Sequence, residues 1–209
     1  IATAAFADTY DLNKGSVTVE TKDDGYTYVT QKDAEINEHP DTTGVTITSN
    51  GTQTSNTITV ETAAKQTTNV TLQDVNIAVD TVKAKSGAIE IKGDGNTNLE
   101  LNGDNTVLVK NNWSEEHAAI EKADKYGTGT LTIKDDLNDD NTPKDKDENG
   151  NAAGGDTGKL VAGGYHDAAA IGGGGTYDTA CTSNITITGG KITANGGTYG
   201  AGIGRGYSG

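Results

Sequence analysis

Three kinds of short apolar cluster recur along this chain in the same order, four times over. The first is an alternating segment at residues 70–72, 99–101, 131–133 and 185–187 (Val-Thr-Leu, Leu-Glu-Leu, Leu-Thr-Ile, Ile-Thr-Ile). The second lies at 77–79, 107–109, 160–162 and 192–194. The third sets Ala or Gly before an isoleucine, at Ile89, Ile120, Ile171 and Ile203. Alternation of this kind is the signature of strands. Each unit has one narrow apolar face that it cannot bury alone, so successive units must stack. Three short strands per unit, separated by Gly/Asn corners, predict an all-β fold: a right-handed parallel β-helix. The small residues of the third cluster would let one wall come close to the interior. A two-layered β-sandwich is the rival architecture, and it has no need of a three-part repeat.

Composition fits a narrow stacked core. Gly supplies 29 of 209 residues, and Phe and Met number one and zero. The formal charge is −14, with a single arginine, Arg205. That balance excludes the basic stripe needed to follow phosphate backbones, so no nucleic-acid partner is expected. No run of about 18 apolar residues exists, and no membrane-spanning helix is expected. One cysteine, Cys181, cannot form an internal disulfide or a paired-thiol metal site, and it is expected as a small buried or turn residue. Disorder would also suit a charged, weakly hydropathic chain. The strand alternation argues against it for most of the length, less so for residues 135–158.

Residues 8–67 alternate less regularly and lack the Ala/Gly–Ile element, as expected of an atypical N-terminal cap with the first irregular turns. Residues 1–7, ending in Ala5-Phe6-Ala7 before Asp8, read as the remnant of a secretory signal peptide. At the other end, residues 184–209 form a full unit without a cap, so the repeats of 68–209 are expected to continue in the natural chain. An acidic insertion at 135–158 interrupts the third copy. The segment 114–124 has helix-forming composition, but the repeat register assigns Ala118-Ala119-Ile120 to a strand.

The run Ile185-Thr-Ile-Thr-Gly-Gly-Lys-Ile-Thr-Ala194, with Gly200-Ala-Gly-Ile-Gly204 and Ala168-Ala-Ala-Ile-Gly-Gly173, resembles the Gly-rich repeats of large secreted surface proteins of gut Firmicutes, often described as carbohydrate-binding-domain-containing or adhesin-like. The resemblance covers roughly residues 68–209. It implies a secreted or cell-surface β-solenoid, used as a stalk or adhesin, and it brings no catalytic residues with it.

Two sets of residues are candidate sites. In the insertion, Asp145, Asp147, Asn149 and Asp156 with the Asn151 carbonyl follow the D-x-[DN]-x-[DN]-G-x5-[DE] spacing that wraps Ca²⁺ in oxygen ligands. A short aspartate stands where a bidentate glutamate is usual, and a solvated acidic loop is the competing reading. Trp113, Tyr126, Tyr165, Tyr177, Tyr199 and Tyr207 all fall in corner segments. Stacked along one edge they would form flat platforms for a glycan or glycoprotein, and otherwise they pack on neighbouring turns. His39, His117 and His166 are read as separate surface or corner residues.

These features favour a glycan-binding, adhesin-like rod over an enzyme. A polysaccharide lyase needs cationic groups beside its acidic substrate, and a hydrolase needs two carboxylates about 5–10 Å apart on one face, of which the sequence offers no placeable pair. Thr71, Thr132 and Thr186 occupy matching positions that could form an ice-binding wall, interrupted by Glu100. End-to-end or edge self-association into filaments is the remaining expectation for partners.

Overall fold

The computed structural model describes residues 8–31, 44–110, 116–138, 142–144 and 157–208, together with the backbone of 37–39. The chain opens with β1 (Asp8–Asp11), a 3-10 turn at Leu12–Lys14 and β2 (Val17–Thr21), then folds back through β3 (Thr27–Gln31) and β4 (Asn37–His39). A second circuit contains β5 (Val45–Thr48) and β6 (Ile58–Thr62). Four circuits of three strands follow. They are β7 (Thr67–Gln73), β8 (Asn76–Asp80), β9 (Ile89–Lys92); β10 (Asn96–Asn102), β11 (Asp104–Lys110), β12 (Ile120–Glu121); β13 (Leu131–Asp135), β14 (Lys159–Gly163), β15 (Ile171–Gly172); and β16 (Ile185–Ile187), β17 (Lys191–Asn195), β18 (Ile203–Gly204). The fold is all-β.

The strands form three sheets, ordered β1-β5-β7-β10-β13-β16, β8-β11-β14-β17 and β2-β6-β9-β12-β15-β18, the last extended past β2 by β3 and β4. Apart from that antiparallel β2-β3-β4 edge, every strand pair is parallel. From β7 onward the chain visits the three sheets in fixed rotation. An isolated parallel bridge from Thr54 to Ile77 marks the second sheet one circuit earlier. Among the described residues β1, β2, β5 and β6 therefore already belong to the sheets of the later strands, and Ile58, without a preceding Ala or Gly, fills the position of the third-cluster isoleucines between Val17 and Ile89.

Alternation does the sorting. In β10 and β11 every second residue is buried and its neighbours are not. Inward side chains then stack in rows: Val45, Val70, Leu99, Ile133 and Ile187 in the first sheet, and Val17, Ile58, Ile89, Ile120, Ile171 and Ile203 in the third. The third-cluster alignment from sequence agrees with this register. The other two agree except at one step each, where they slip by two residues. Leu131 pairs with Thr97 rather than Leu99, and Leu160 with Asn105 rather than Val107. A shift of two keeps each side chain on its face, so apolar periodicity does not distinguish the alternatives. The slip also dissolves the threonine wall. Thr71 shares its outward row with Thr46, Glu100 and Lys134, whereas Thr132 lies beside Asn98 and Thr186.

Several inward positions are polar, and each solves a local problem. Asn105 Oδ1 accepts the Val75 N–H, while its amide donates to the carbonyls of Asn102 and Lys159. Thr62 Oγ1 lies 2.7 Å from Thr68 and 3.0 Å from Thr97, and Thr68 bonds to Thr21. Lys122, 1% exposed, lies one residue beyond the paired Glu90 and Glu121, at the register position of Ile91 and Val60 in earlier circuits. Its Nζ makes no hydrogen bond among the described residues, and Asp124 is 3.7 Å away. Residues 116–123 are not helical: Ile120–Glu121 is strand, and a 3-10 turn follows at Asp124–Tyr126. A four-residue helix at Thr81–Ala84, capped by the Asp80 carboxylate, was not expected. Cys181 is exposed and lies just past the turn at residues 177–179, so of the two expectations, burial or a turn position, burial is the one overturned. Among the described residues, no helix is long and apolar enough to cross a membrane.

Candidate functional site

The corner between β14 and β15 carries Tyr165, His166 and Asp167, and the corresponding corner one circuit later carries Tyr199. Backbone hydrogen bonds join the two: Tyr199 N–H donates to the His166 carbonyl at 3.0 Å, and Gly197 N–H to the Ala168 carbonyl at 3.0 Å. Past β18, Tyr207 N–H donates to the Asp167 carbonyl at 2.7 Å. A side chain at Gly197 would run into the His166 backbone, so this close approach requires glycine. The result is a cluster of rings. Tyr199 lies 5.6 Å from Tyr207, and the His166 imidazole meets Tyr199 edge-on at 5.8 Å. Tyr165, His166, Thr198 and Tyr199 line an open groove of about 670 Å³ with Gly196 and Gly197. Tyr199 and Tyr207 remain 63% and 50% exposed, which leaves their faces available.

Behind the rings lies a polar group. His166 Nδ1 is 3.0 Å from Glu116 Oε1 and 2.9 Å from Asp167 Oδ1. The three side chains come from two circuits, since Glu116 precedes β12 and the other two precede β15. Burial, and then the charge of Asp167, push the Glu116 carboxyl above its ordinary pKa, with His166 acting in the opposite direction.

A second group lies on the outward side of the third sheet. The parallel register places Glu90 of β9 beside Glu121 of β12, and their carboxylates gather with His117 within 4.8 Å of one another. Each already has partners. Lys92 Nζ contacts Glu90 at 2.6 Å, while Glu121 receives the Ala118 N–H at 3.0 Å and contacts His117 Nδ1 at 3.0 Å. Burial works against the charge on Lys92, but the Glu90 contact outweighs it and raises the ammonium pKa. Tyr126 belongs to this neighbourhood, with the Lys92 ammonium 5.1 Å from its ring. Burial first, then Glu121 and Glu90, push its phenol pKa up.

The sequence-predicted residues therefore divide. Tyr199 packs beside Tyr207 and shares the groove with Tyr165, Tyr126 lies with the Glu90–Glu121 pair, and Tyr177, 86% exposed, joins neither group among the described residues. Trp113 and the five calcium candidates Asp145, Asp147, Asn149, Asn151 and Asp156 lie outside the described residues. Two expectations are corrected. His117 and His166 are not isolated surface residues but half-buried members of carboxylate groups, joined through the adjacent residues Glu116 and His117. A carboxylate pair does exist on one wall, Glu90 with Glu121. The only sequence signal for it was Glu90 and Glu121 each following the third-cluster isoleucine, visible once Ile89 and Ile120 are aligned. The chain matches no family model, no curated protein and no solved structure.

Proposed function

We propose that this chain is a stretch of right-handed parallel β-helix from a secreted or cell-surface bacterial protein, and that its Tyr165–Tyr199–Tyr207 face binds a glycan or the glycan of a glycoprotein. The three-sheet rotation with parallel pairing supports the β-helix reading, and crossover connections between parallel strands are right-handed in nearly all proteins. The resemblance of the Gly-rich repeats to gut Firmicutes surface proteins supports the location.

The observation that carries the binding reading is the exposed Tyr199 lining a groove edged with polar groups, with Tyr207 packed beside it. Sugar rings present flat C–H faces that stack on aromatic rings, and hydroxyls that pair with neighbouring polar side chains. Tyrosine offers both a ring and a hydroxyl. A stiff rod repeating such corners would gain affinity through multivalency. An enzyme is less well supported, because the carboxylates of Glu90 and Glu121 are enclosed and already occupied by Lys92 and His117.

A glycan array probed with the protein and with Tyr199→Ala tests this reading. Binding to a defined glycan class, reduced at least tenfold in the variant, is the expected result. No glycan bound, or binding untouched by the variant, would overturn it. Release of reducing sugar from a bound polysaccharide would replace it with a hydrolytic one.

A further inference from the structure

The Glu116–His166–Asp167 group differs from the Glu90–His117–Glu121 group in what neutralises it. Among the described residues no lysine or arginine pairs with Glu116 or Asp167. Two half-buried carboxylates therefore face a single imidazole nitrogen. One N–H cannot satisfy both. Asp167 Oδ1 is buried and accepts no hydrogen bond among the described residues, so its 2.9 Å approach to Nδ1 is a close polar contact without hydrogen-bond alignment. Such an atom carries the full desolvation cost of an unpaired acceptor.

The structure points to a divalent transition-metal site, and we propose that Glu116, His166 Nδ1 and Asp167 hold Zn²⁺ or a like first-row ion at the edge of the tyrosine groove. The donor set of one imidazole and two carboxylates suits such an ion. The spacing is close to what such an ion needs: donors about 2.1 Å from a tetrahedral zinc lie about 3.4 Å apart, so the observed 3.0 and 2.9 Å would open by about half an ångström on binding. Room is provided by Gly175, where a Cβ would stand 2.5 Å from Glu116 Oε2 and 2.8 Å from the Asp167 Cβ. The edge-on contact with Tyr199 fixes the imidazole plane, the kind of outer support that metal-bound histidines usually have. Positions not taken by the three side chains would face the groove. The Glu116 pKa fits this picture, because a cation there removes the penalty that burial and Asp167 impose on its charge.

Calorimetric titration of the full chain with Zn²⁺ tests the proposal, alongside His166→Ala, Asp167→Asn, Gly175→Ala and, as the control for the other group, His117→Ala. One saturable site is expected. It should weaken at least tenfold in the first three variants and stay unchanged in His117→Ala. Nitrogen NMR of the histidine rings in the unaltered protein gives a readout that needs no variant: His166 Nδ1 should shift on Zn²⁺ addition and His117 should not. Absence of saturable binding, an unshifted His166 resonance, or loss of binding in His117→Ala with binding kept in His166→Ala would each overturn the assignment.

Discussion

Asp135 Oδ1 accepts the backbone N–H of Gly158, 23 positions further along the chain, at 2.7 Å, closing the base of the insertion at residues 135–158. The same oxygen accepts the Asp136 N–H at 2.8 Å. Asp135 sits at the inward register position that Leu101, Leu72 and Ile47 fill in earlier circuits. A carboxylate there ends the apolar row and lets β13 leave its circuit for the insertion without leaving the Gly158 N–H unpaired at the point of return.

Asp135→Ala leaves two buried N–H groups without their acceptor. The expected loss is about 3 kcal/mol, since hydrogen bonds to charged groups are the stronger kind. Asp135→Asn, which keeps one acceptor oxygen, should lose less. Urea denaturation measures both, and an alanine variant within about 0.5 kcal/mol of the parent would refute the clamp.

Asn105 gives a test in which added hydrophobicity should harm. Leucine at this position would match Leu160, its neighbour in the row. The Val75 N–H, however, is held by Asn105 Oδ1 at 3.0 Å and would lose its acceptor inside the core. Asn105→Leu is expected to destabilise by about 2 kcal/mol. A gain in stability would mean the asparagine has no structural role.

Lys122 predicts the opposite sign. Its ammonium is enclosed, burial lowers its pKa, and the pull of Asp124 does not fully compensate. Replacing it with an apolar side chain of similar length, Lys122→Met, should stabilise the fold by about 1–2 kcal/mol. The pH dependence follows from linkage. Because the folded pKa lies below the unfolded value of 10.5, the unfolded chain binds the extra proton between the two. The cost to the folded state is therefore full below the depressed value and fades as pH rises toward 10.5. The stability gap between Lys122→Met and the parent should narrow over that range in thermal melts, and a constant gap would contradict the assignment.

The threonine hydroxyls should behave as one network. Thr62→Val keeps the side-chain shape but leaves the Thr97 and Thr68 hydroxyls without the Thr62 partner, for an expected loss of about 1 kcal/mol. In a double-mutant cycle with Thr97→Val the two losses should add to less than their sum, because both remove the same 3.0 Å bond. Strict additivity would show that the hydroxyls act independently.

Much of the architecture was legible before the fold was known. Ile89, Ile120, Ile171 and Ile203 share one row as the spacing predicted, because small residues precede each and corner lengths vary little. Leu131 and Leu160 were aligned correctly with Ile185 and Ile192 but two residues away from their partners in the preceding circuit. A strand shifted by two presents the same face, and only the hydrogen bonds of Thr97 and Asn105 distinguish the registers. The inward Lys122 and Asp135 could not be foreseen from a rule that places apolar residues inside. The tyrosine corners were legible as corners, but which of them meet depends on how far each circuit advances along the stack.

The sequence alone determined that this chain must be β-structured and acidic, with short apolar segments that recur in the same order, since that follows from the period and charge of its residues. Tertiary structure decided which polar groups meet. Glu116 lies fifty residues from His166 in the chain, and only the parallel pairing of strands distant in sequence brings their side chains to 3.0 Å. Local pattern specifies which face a side chain takes, and neighbours across the stack are specified only when every circuit has closed.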